Sequence, residues 1–293
     1  MNLFDDLPDI CRRNVPLAPL TWFKLGGPAQ YLIEPKTAKQ LATVVRRCHK
    51  TRTPIRFLGL GANVLVNDDG VRGAVVRLTQ DAFMETRFDG PRVTAGGGVS
   101  LAKLVIACVR RGLSGLEHVA GIPASVGGAI RMNCGGKFGE IGTAVRSVRV
   151  VNPAGEIFVR ERDDLEFGYR YCGLGSDQVI AATFQLNKTD PDALRERFDE
   201  IWMYKQNTQP PLGVQSAGCI FRNPNRQSAG ELIDRAGLKG LRHGTAAVSD
   251  RHANFIVADV PGRASDIIEL IEMVRERVAE AHSIDLTPEV QIW

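Results

Sequence analysis

Along the chain, short apolar runs bounded by Gly, Asn and Asp alternate with longer stretches in which apolar residues recur every three or four positions. The first kind reads as strands and the second as helices. Thr37 and Gln40 stand at a capping-box spacing ahead of Leu41, Val44 and Val45, which predicts a helix over about 37–50. "IRFLGLGANVLV" and "GAVVRL" then predict strands around a glycine turn. A second block opens near Arg92 with "RVTAGGGV". Ser100 serves there as N-cap of a helix through Leu101, Leu104, Val105 and Ala107, closed by Gly112. "VRSVRVVNPAGEIFVRERDD" has the form of a hairpin turning at Asn152–Gly155, and "VIAATFQL" predicts a further strand.

Four more elements follow. "DPDALRERFDEIWMYKQ" predicts a charged helix with Leu194, Phe198 and Ile201 inward. Ser228 and Glu231 form another capping box ahead of a stop at Gly237. After the strand "NFIVADV", the spacing of Ile267, Ile268, Ile271, Val274 and Val278 predicts a helix over about 264–281. No internal repeat interrupts this order.

At 293 residues the chain exceeds one ordinary domain of about 100–200 residues, so two or three lobes are expected. Ordinary hydrophobic and charged fractions argue against disorder. The net charge of +4 is spread without a basic block, which argues against nucleic acid as a partner and is equally compatible with phosphorylated or carboxylated small molecules. The first twenty residues carry Asp5, Asp6 and Asp9 in place of an apolar segment, and no apolar run approaches the ~20 residues of a membrane helix. A soluble cytoplasmic protein without a membrane partner is expected. Six cysteines without a C-x-x-C pair or a nearby histidine ligand predict reduced thiols and no metal, with Cys48 and Cys108 as core residues.

Two glycine-rich segments carry candidate chemistry. "LGLGANVLV" has Gly59 and Gly61 at the first two positions of the dinucleotide fingerprint, but Val64 stands at the third and no helical pattern follows. A nicotinamide-type Rossmann unit is therefore disfavoured. Consecutive backbone donors around a diphosphate remain one reading, and a plain tight turn the other. "GIPASVGGA", with Gly121, Ser125, Gly127 and Gly128, is too poor in large residues to build a core and suits close backbone approach. One diphosphate cofactor lying against both loops explains the pair more economically than two unrelated turns.

Five motifs, "TWFKLGGPA", "LGLGANVLV", "AGIPASVGGAIRMNCG", "FGYR" and "SAGCIFRNP", followed by "TPEV", stand in an order that resembles the UDP-N-acetylenolpyruvoylglucosamine reductase family from about Thr21 to Glu289. The resemblance implies an α+β chain of α/β elements. Its FAD-binding fold is of the vanillyl-alcohol-oxidase (PCMH) type in two subdomains, 1–80 and 81–189. A carboxy-terminal α+β substrate domain covers 190–293, with the extreme terminus returning to the active site. Only eight residues separate Arg170 from Val179, which resembles the family's short form without a tyrosine-bearing insertion.

The implied ligands are FAD, held without a covalent bond because Gly59 to Asn63 contains no histidine, NADPH as co-substrate, and UDP-N-acetylglucosamine enolpyruvate, with the chain acting as a monomer. Cofactor-binding positions implied by the motifs are Gly59, Leu60, Gly61, Ala62, Asn63, Val64, Gly97, Gly121, Ile122, Pro123, Ser125, Val126, Gly127, Gly128 and Val179. Tyr169, Lys205, Gln209, Gly218 and Asn223 are implied for the UDP-sugar. Arg170, Cys219 and Glu289 match the family's catalytic residues: an arginine fork for the carboxylate, a proton donor to C2, and an acid that hydrogen-bonds the carboxylate. Cys172 replaces a frequent serine, which puts any supporting role there in doubt. Read without the resemblance, Arg170 is a surface ion-pair residue, Cys219 a small core residue and Glu289 an ordinary terminal acid. A flavin oxidase of the same fold and a non-catalytic UDP-sugar or flavin-binding relative remain as alternatives.

Overall fold

The structure, a computed structural model, describes residues 3–293. The chain forms two compact units, the first from Met1–Arg13, Tyr31–Leu60 and Gly73–Lys205, the second from Asn14–Gln30, Gly61–Arg72 and Gln206–Trp293.

The first unit holds two hydrophobic cores. One lies under α1 (Ala38–Lys50), where Leu41, Val44, Val45 and Cys48 are buried together with Phe4, Tyr31 and Phe83. The associated sheet is built on the strands Cys11–Pro16, Pro28–Ile33, Val71–Val76 and Ile55–Phe57, in that order. The Thr37 hydroxyl accepts from Gln40 N–H at 3.2 Å, as the capping spacing predicts, while the Gln40 side chain accepts from Lys36 N–H, one residue outside the expected box. The other core lies on a five-stranded antiparallel sheet ordered Ile157–Glu161, Val145–Val151, Gln178–Gln185, Arg92–Gly96, Thr86–Asp89. The expected hairpin is its edge, with Gly155 at φ +80° closing the turn. Buried residues of α2 (Leu101–Val109), α3 (Val126–Arg131) and α4 (Pro191–Thr208) complete this core.

Three expectations change here. Ser100 stands at the N-cap of α2 but makes no side-chain cap bond. The small-residue window does build core, since Val126, Ala129 and Ile130 of α3 are buried, with Ser125 capping through Gly128 N–H at 3.3 Å. And α4, placed by the sequence in a carboxy-terminal lobe starting at 190, buries Leu194 and Ile201 in the first unit's core, so the compact unit ends at Lys205.

In the second unit, α5 (Ala229–Arg235) and α6 (Ala264–His282) pack with a small antiparallel sheet ordered Arg242–His243, Ala246–Val248, Ile256–Ala258. The predicted face of α6 is buried at Ile267, Ile271, Val274 and Val278. Ser228 accepts from Glu231 N–H, but the Glu231 carboxylate pairs with Arg235 instead of closing the box. The "NFIVADV" strand shortens to Ile256–Ala258. Phe23 and Leu25 of "TWFKLGGPA" enter this core, and the terminal strand Gln291–Ile292 runs parallel to Val64–Leu65.

All six cysteines are free, with Cys48 and Cys108 buried. Among the described residues no group of three His, Cys, Asp or Glu could hold a metal, and no helix is long and apolar enough to cross a membrane.

Candidate active site

The glycine loops of the first unit meet. A Cβ on Gly59 would stand 2.3 Å from the Ser125 hydroxyl, and one on Gly97 would stand 2.7 Å from the Val179 carbonyl oxygen. Gly97 in turn accepts from Gly127 N–H at 2.8 Å, and Val99 from Val126 N–H at 2.8 Å. The Ser125 side chain against Gly59 and the Val179 backbone against Gly97 leave no room for a Cβ at either position, and bring Gly59, Gly97, Ser125, Gly127 and Val179 into one cluster.

The N–H groups of Val126, Gly127 and Gly128 are spent on holding this cluster together. By contrast, among the described residues no backbone N–H from Gly59 to Asn63 donates to a backbone carbonyl, while the Asn63 side chain donates to Glu289 O at 3.3 Å. That run of backbone donors suits an anion. Gly61 adopts φ +70°, and a Cβ there would meet the Leu20 carbonyl oxygen at 2.4 Å; Trp22 N–H donates to Gly61 O at 3.0 Å. "TWFKLGGPA" thus braces the turn. Ile122 and Pro123 lie in the stretch ahead of Ser125, after Gly121 at φ +74°.

Arg170 sits at the tip of a hairpin between Phe167–Gly168 and Tyr171–Cys172. Its φ of +55°, beside the ordinary φ of Tyr169, puts an arginine where such a turn favours glycine. A side chain in this region costs about 1–2 kcal/mol, and strain of this kind clusters at functional sites. The guanidinium lies 5.1 Å from the centre of the exposed Tyr169 ring.

Lys205, in the last turns of α4, reaches back so that its ammonium donates to Ala120 O at 2.5 Å while its stem lies 3.2 Å from the Cβ position of Gly121. Burial pushes this ammonium down to about 8; the Arg170 charge acts in the same direction and Cys134 opposes it. The Arg170 and Lys205 cations are thus near enough to feel each other's charge. Cys134, a residue given no role by the sequence, is buried beside both, and burial pushes its thiol up to about 12. Cys172 is likewise a buried thiol, up to about 11 through burial, as suits packing.

In the second unit, the segment from Gly218 to Arg222 runs antiparallel both to the segment around Phe255 and to the chain end, through bridges Cys219 with Phe255 and Phe221 with Pro288. The N–H groups of Glu289 and Val290 both point at Ile220 O, at 2.7 and 3.4 Å. Two residues facing one is the pattern of a β-bulge, a device that re-aims a side chain. Cys219 and Glu289 are thereby brought together on adjoining backbone segments, with Glu289 9% exposed. Gly218 at φ +73° sets the turn into Cys219, which is half-buried.

Asn223 uses its side-chain oxygen to accept from Ala229 N–H at 3.0 Å. Gln209 is half-buried in the loop after α4, with no contact that assigns it a role. One residue missed by the sequence is Asn254, 3% exposed, whose amide accepts from Phe221 N–H at 2.9 Å and donates to Phe221 O at 2.8 Å. Nothing in its neighbourhood along the chain signals this role, because its partner lies 33 positions away.

Residues 29–160 match the family model for an FAD binding domain, and residues 209–293 match that for the C-terminal domain of UDP-N-acetylenolpyruvoylglucosamine reductase. The reductase of that name from Alkalilimnicola ehrlichii is 40% identical over 286 residues, covering 97% of this chain and 95% of its own. That from Heliobacterium modesticaldum is 40% identical over 280 residues, covering 94% and 88%. The crystal structure of the reductase from Thermus caldophilus superposes with a TM-score of 0.85 at 38% identity, covering 97% of this chain and 99% of that one. The chain belongs to the UDP-N-acetylenolpyruvoylglucosamine reductase family.

Family membership accounts for features that the residues alone left open. The chain is a flavoenzyme of the reductase family, and the fold is its FAD-binding domain with the reductase C-terminal domain. The residues present fit the flavin through a run of open backbone N–H donors at Gly59 to Asn63, which suits its diphosphate. The match of residues 209–293 to the reductase C-terminal domain favours the reductase reading over the oxidase one.

Proposed function

We propose that the chain catalyses NADPH-dependent reduction of UDP-N-acetylglucosamine enolpyruvate to UDP-N-acetylmuramate, a step of peptidoglycan synthesis. The observation that carries this reading is identity of 36–40% over nearly the whole chain to reductases of that name, with the arginine, cysteine and glutamate of the motifs all present.

When bound, FAD supplies the hydride chemistry, with NADPH as the source and C3 of the enolpyruvyl group as the destination. The backbone donors from Gly59 to Asn63 would hold the diphosphate of the cofactor. Breaking the C2–C3 π bond leaves an electron pair on C2, conjugated into the adjacent carboxylate. Arg170 places its fork of donors on that carboxylate and meets the growing charge. Its place at the tip of the hairpin turn directs the side chain away from the paired strands. Glu289, buried on its bulge, hydrogen-bonds the same carboxylate in its protonated form. The Cys219 thiol gives its proton to C2, so that one hydride and one proton complete the reduction. Lys205 adds a second cation for the UDP-sugar, and Tyr169, Gln209, Gly218 and Asn223 are its other proposed contacts.

In this reading the enzyme works as a monomer in the cytoplasm. The test is to purify the protein with its yellow cofactor and follow NADPH absorbance. Sustained oxidation that starts only on adding the enolpyruvyl sugar is expected. Colour without turnover would leave a binding protein.

A further inference from the structure

The hairpin that carries Arg170 pairs only two residues on each side, too few to hold a left-handed arginine in place by themselves. The rigid support comes from outside it. Asn133, 1% exposed, donates through its side-chain amide to Gly168 O at 2.9 Å and to the Glu140 carboxylate at 2.7 Å. Its amide oxygen accepts from Gly142 N–H at 3.0 Å. Its own backbone, at φ +41°, is in the region that asparagine tolerates better than most residues, and its N–H donates to Ile130 O at the end of α3. Gly142 is glycine because a Cβ there would stand 2.7 Å from both the Asn133 oxygen and the Phe167 ring.

One buried amide therefore ties α3, the 140–142 segment and the hairpin into a single unit. Its bond to the hairpin lands two residues before Arg170. We propose that Asn133 is a positioning residue for Arg170, holding Gly168 so that the turn presents the guanidinium in one orientation. This rests on the role given to Arg170 above. Loss of the Asn133 amide frees the tip of the hairpin while leaving Arg170 and the glycine loops intact.

The test is a double-mutant cycle on the FAD-loaded enzyme, with the two half-reactions timed separately by rapid mixing. Asn133→Gly keeps the positive φ and removes the amide. It is expected to slow reoxidation of the reduced flavin by the enolpyruvyl sugar by about 10- to 100-fold while leaving flavin reduction by NADPH within about twofold. In an Arg170→Ala background the same change should add nothing. A wild-type rate for Asn133→Gly, equal slowing of both half-reactions, or additive losses in the double variant overturns the proposal. An unaffected Arg170→Ala enzyme overturns the role of Arg170 itself, and with it the reason for positioning. Should Asn133→Gly fail to fold, Glu140→Ala, which removes one of the three bonds of Asn133, decides instead: the same split at smaller size supports the proposal, and wild-type half-reactions overturn it.

Discussion

Glu289 donates its backbone N–H to the carbonyl oxygen of Ile220 at 2.7 Å, tying the acid near the chain end to the residue beside Cys219. The two groups proposed to serve one carboxylate and one proton transfer thus share a ladder, so disturbing either segment disturbs both.

Asn254 guards that ladder. Asn254→Ala leaves a buried N–H and a buried C=O of Phe221 without partners, and each such group costs about 1–3 kcal/mol. Denaturant titration should show a loss of about 2–4 kcal/mol, together with a slowed substrate half-reaction; a loss below about 0.5 kcal/mol would mean that the clamp is dispensable.

The glycine loops give a comparison that separates two causes. Gly59→Ala forces its Cβ onto the Ser125 hydroxyl, which caps α3, so a loss of about 1–2 kcal/mol is expected, relieved in part by adding Ser125→Gly. Gly61→Ala meets a backbone oxygen and a positive φ, neither of which can give way. Its loss should exceed that of Gly59→Ala, with no relief from Ser125→Gly. Equal losses would contradict the geometry.

Lys205 carries a pH signature. Its folded value of about 8 lies below the ordinary 10.5, so between these pH values the unfolded chain binds more protons. The stability of the wild type relative to Lys205→Met should therefore rise from about pH 8 to 10.5 and be flat below that window. A flat difference across the window would place the ammonium in water.

The same pH region tests Cys219, because an ordinary thiol ionises near ~8.5. Turnover should fall on the alkaline side. If loss of the proton donor sets that limb, Cys219→Ser moves it upward. If Lys205 sets it, Lys205→Arg moves it and Cys219→Ser does not, and an unmoved limb in Cys219→Ser removes the thiol from the proton transfer.

Much of this was legible in the sequence where one segment decides its own structure. The face of α6, the Asn152–Gly155 turn and the Thr37 cap depend on residues within a few positions of each other. Other features depend on partners far along the chain. α3 is six residues long with two glycines, too short and too weak a helix former to show a period, and its helicity comes from burial of Val126, Ala129 and Ile130. The place of α4 in the first unit follows from what Leu194 and Ile201 pack against, which no periodicity reveals. Of the site, the glycines and the motif arginine and cysteine could be named in advance. Asn133 and Asn254 could not, since an asparagine becomes a clamp only through backbone groups that folding brings to it.

The most direct measurement of the central claim is reoxidation of the pre-reduced, FAD-loaded enzyme by UDP-N-acetylglucosamine enolpyruvate, without oxygen, in the wild type and in Cys219→Ala. The account predicts wild-type reoxidation with formation of UDP-N-acetylmuramate, and a loss of about 10²–10⁴-fold in Cys219→Ala while NADPH still reduces the flavin normally. Reoxidation of Cys219→Ala at the wild-type rate would contradict it.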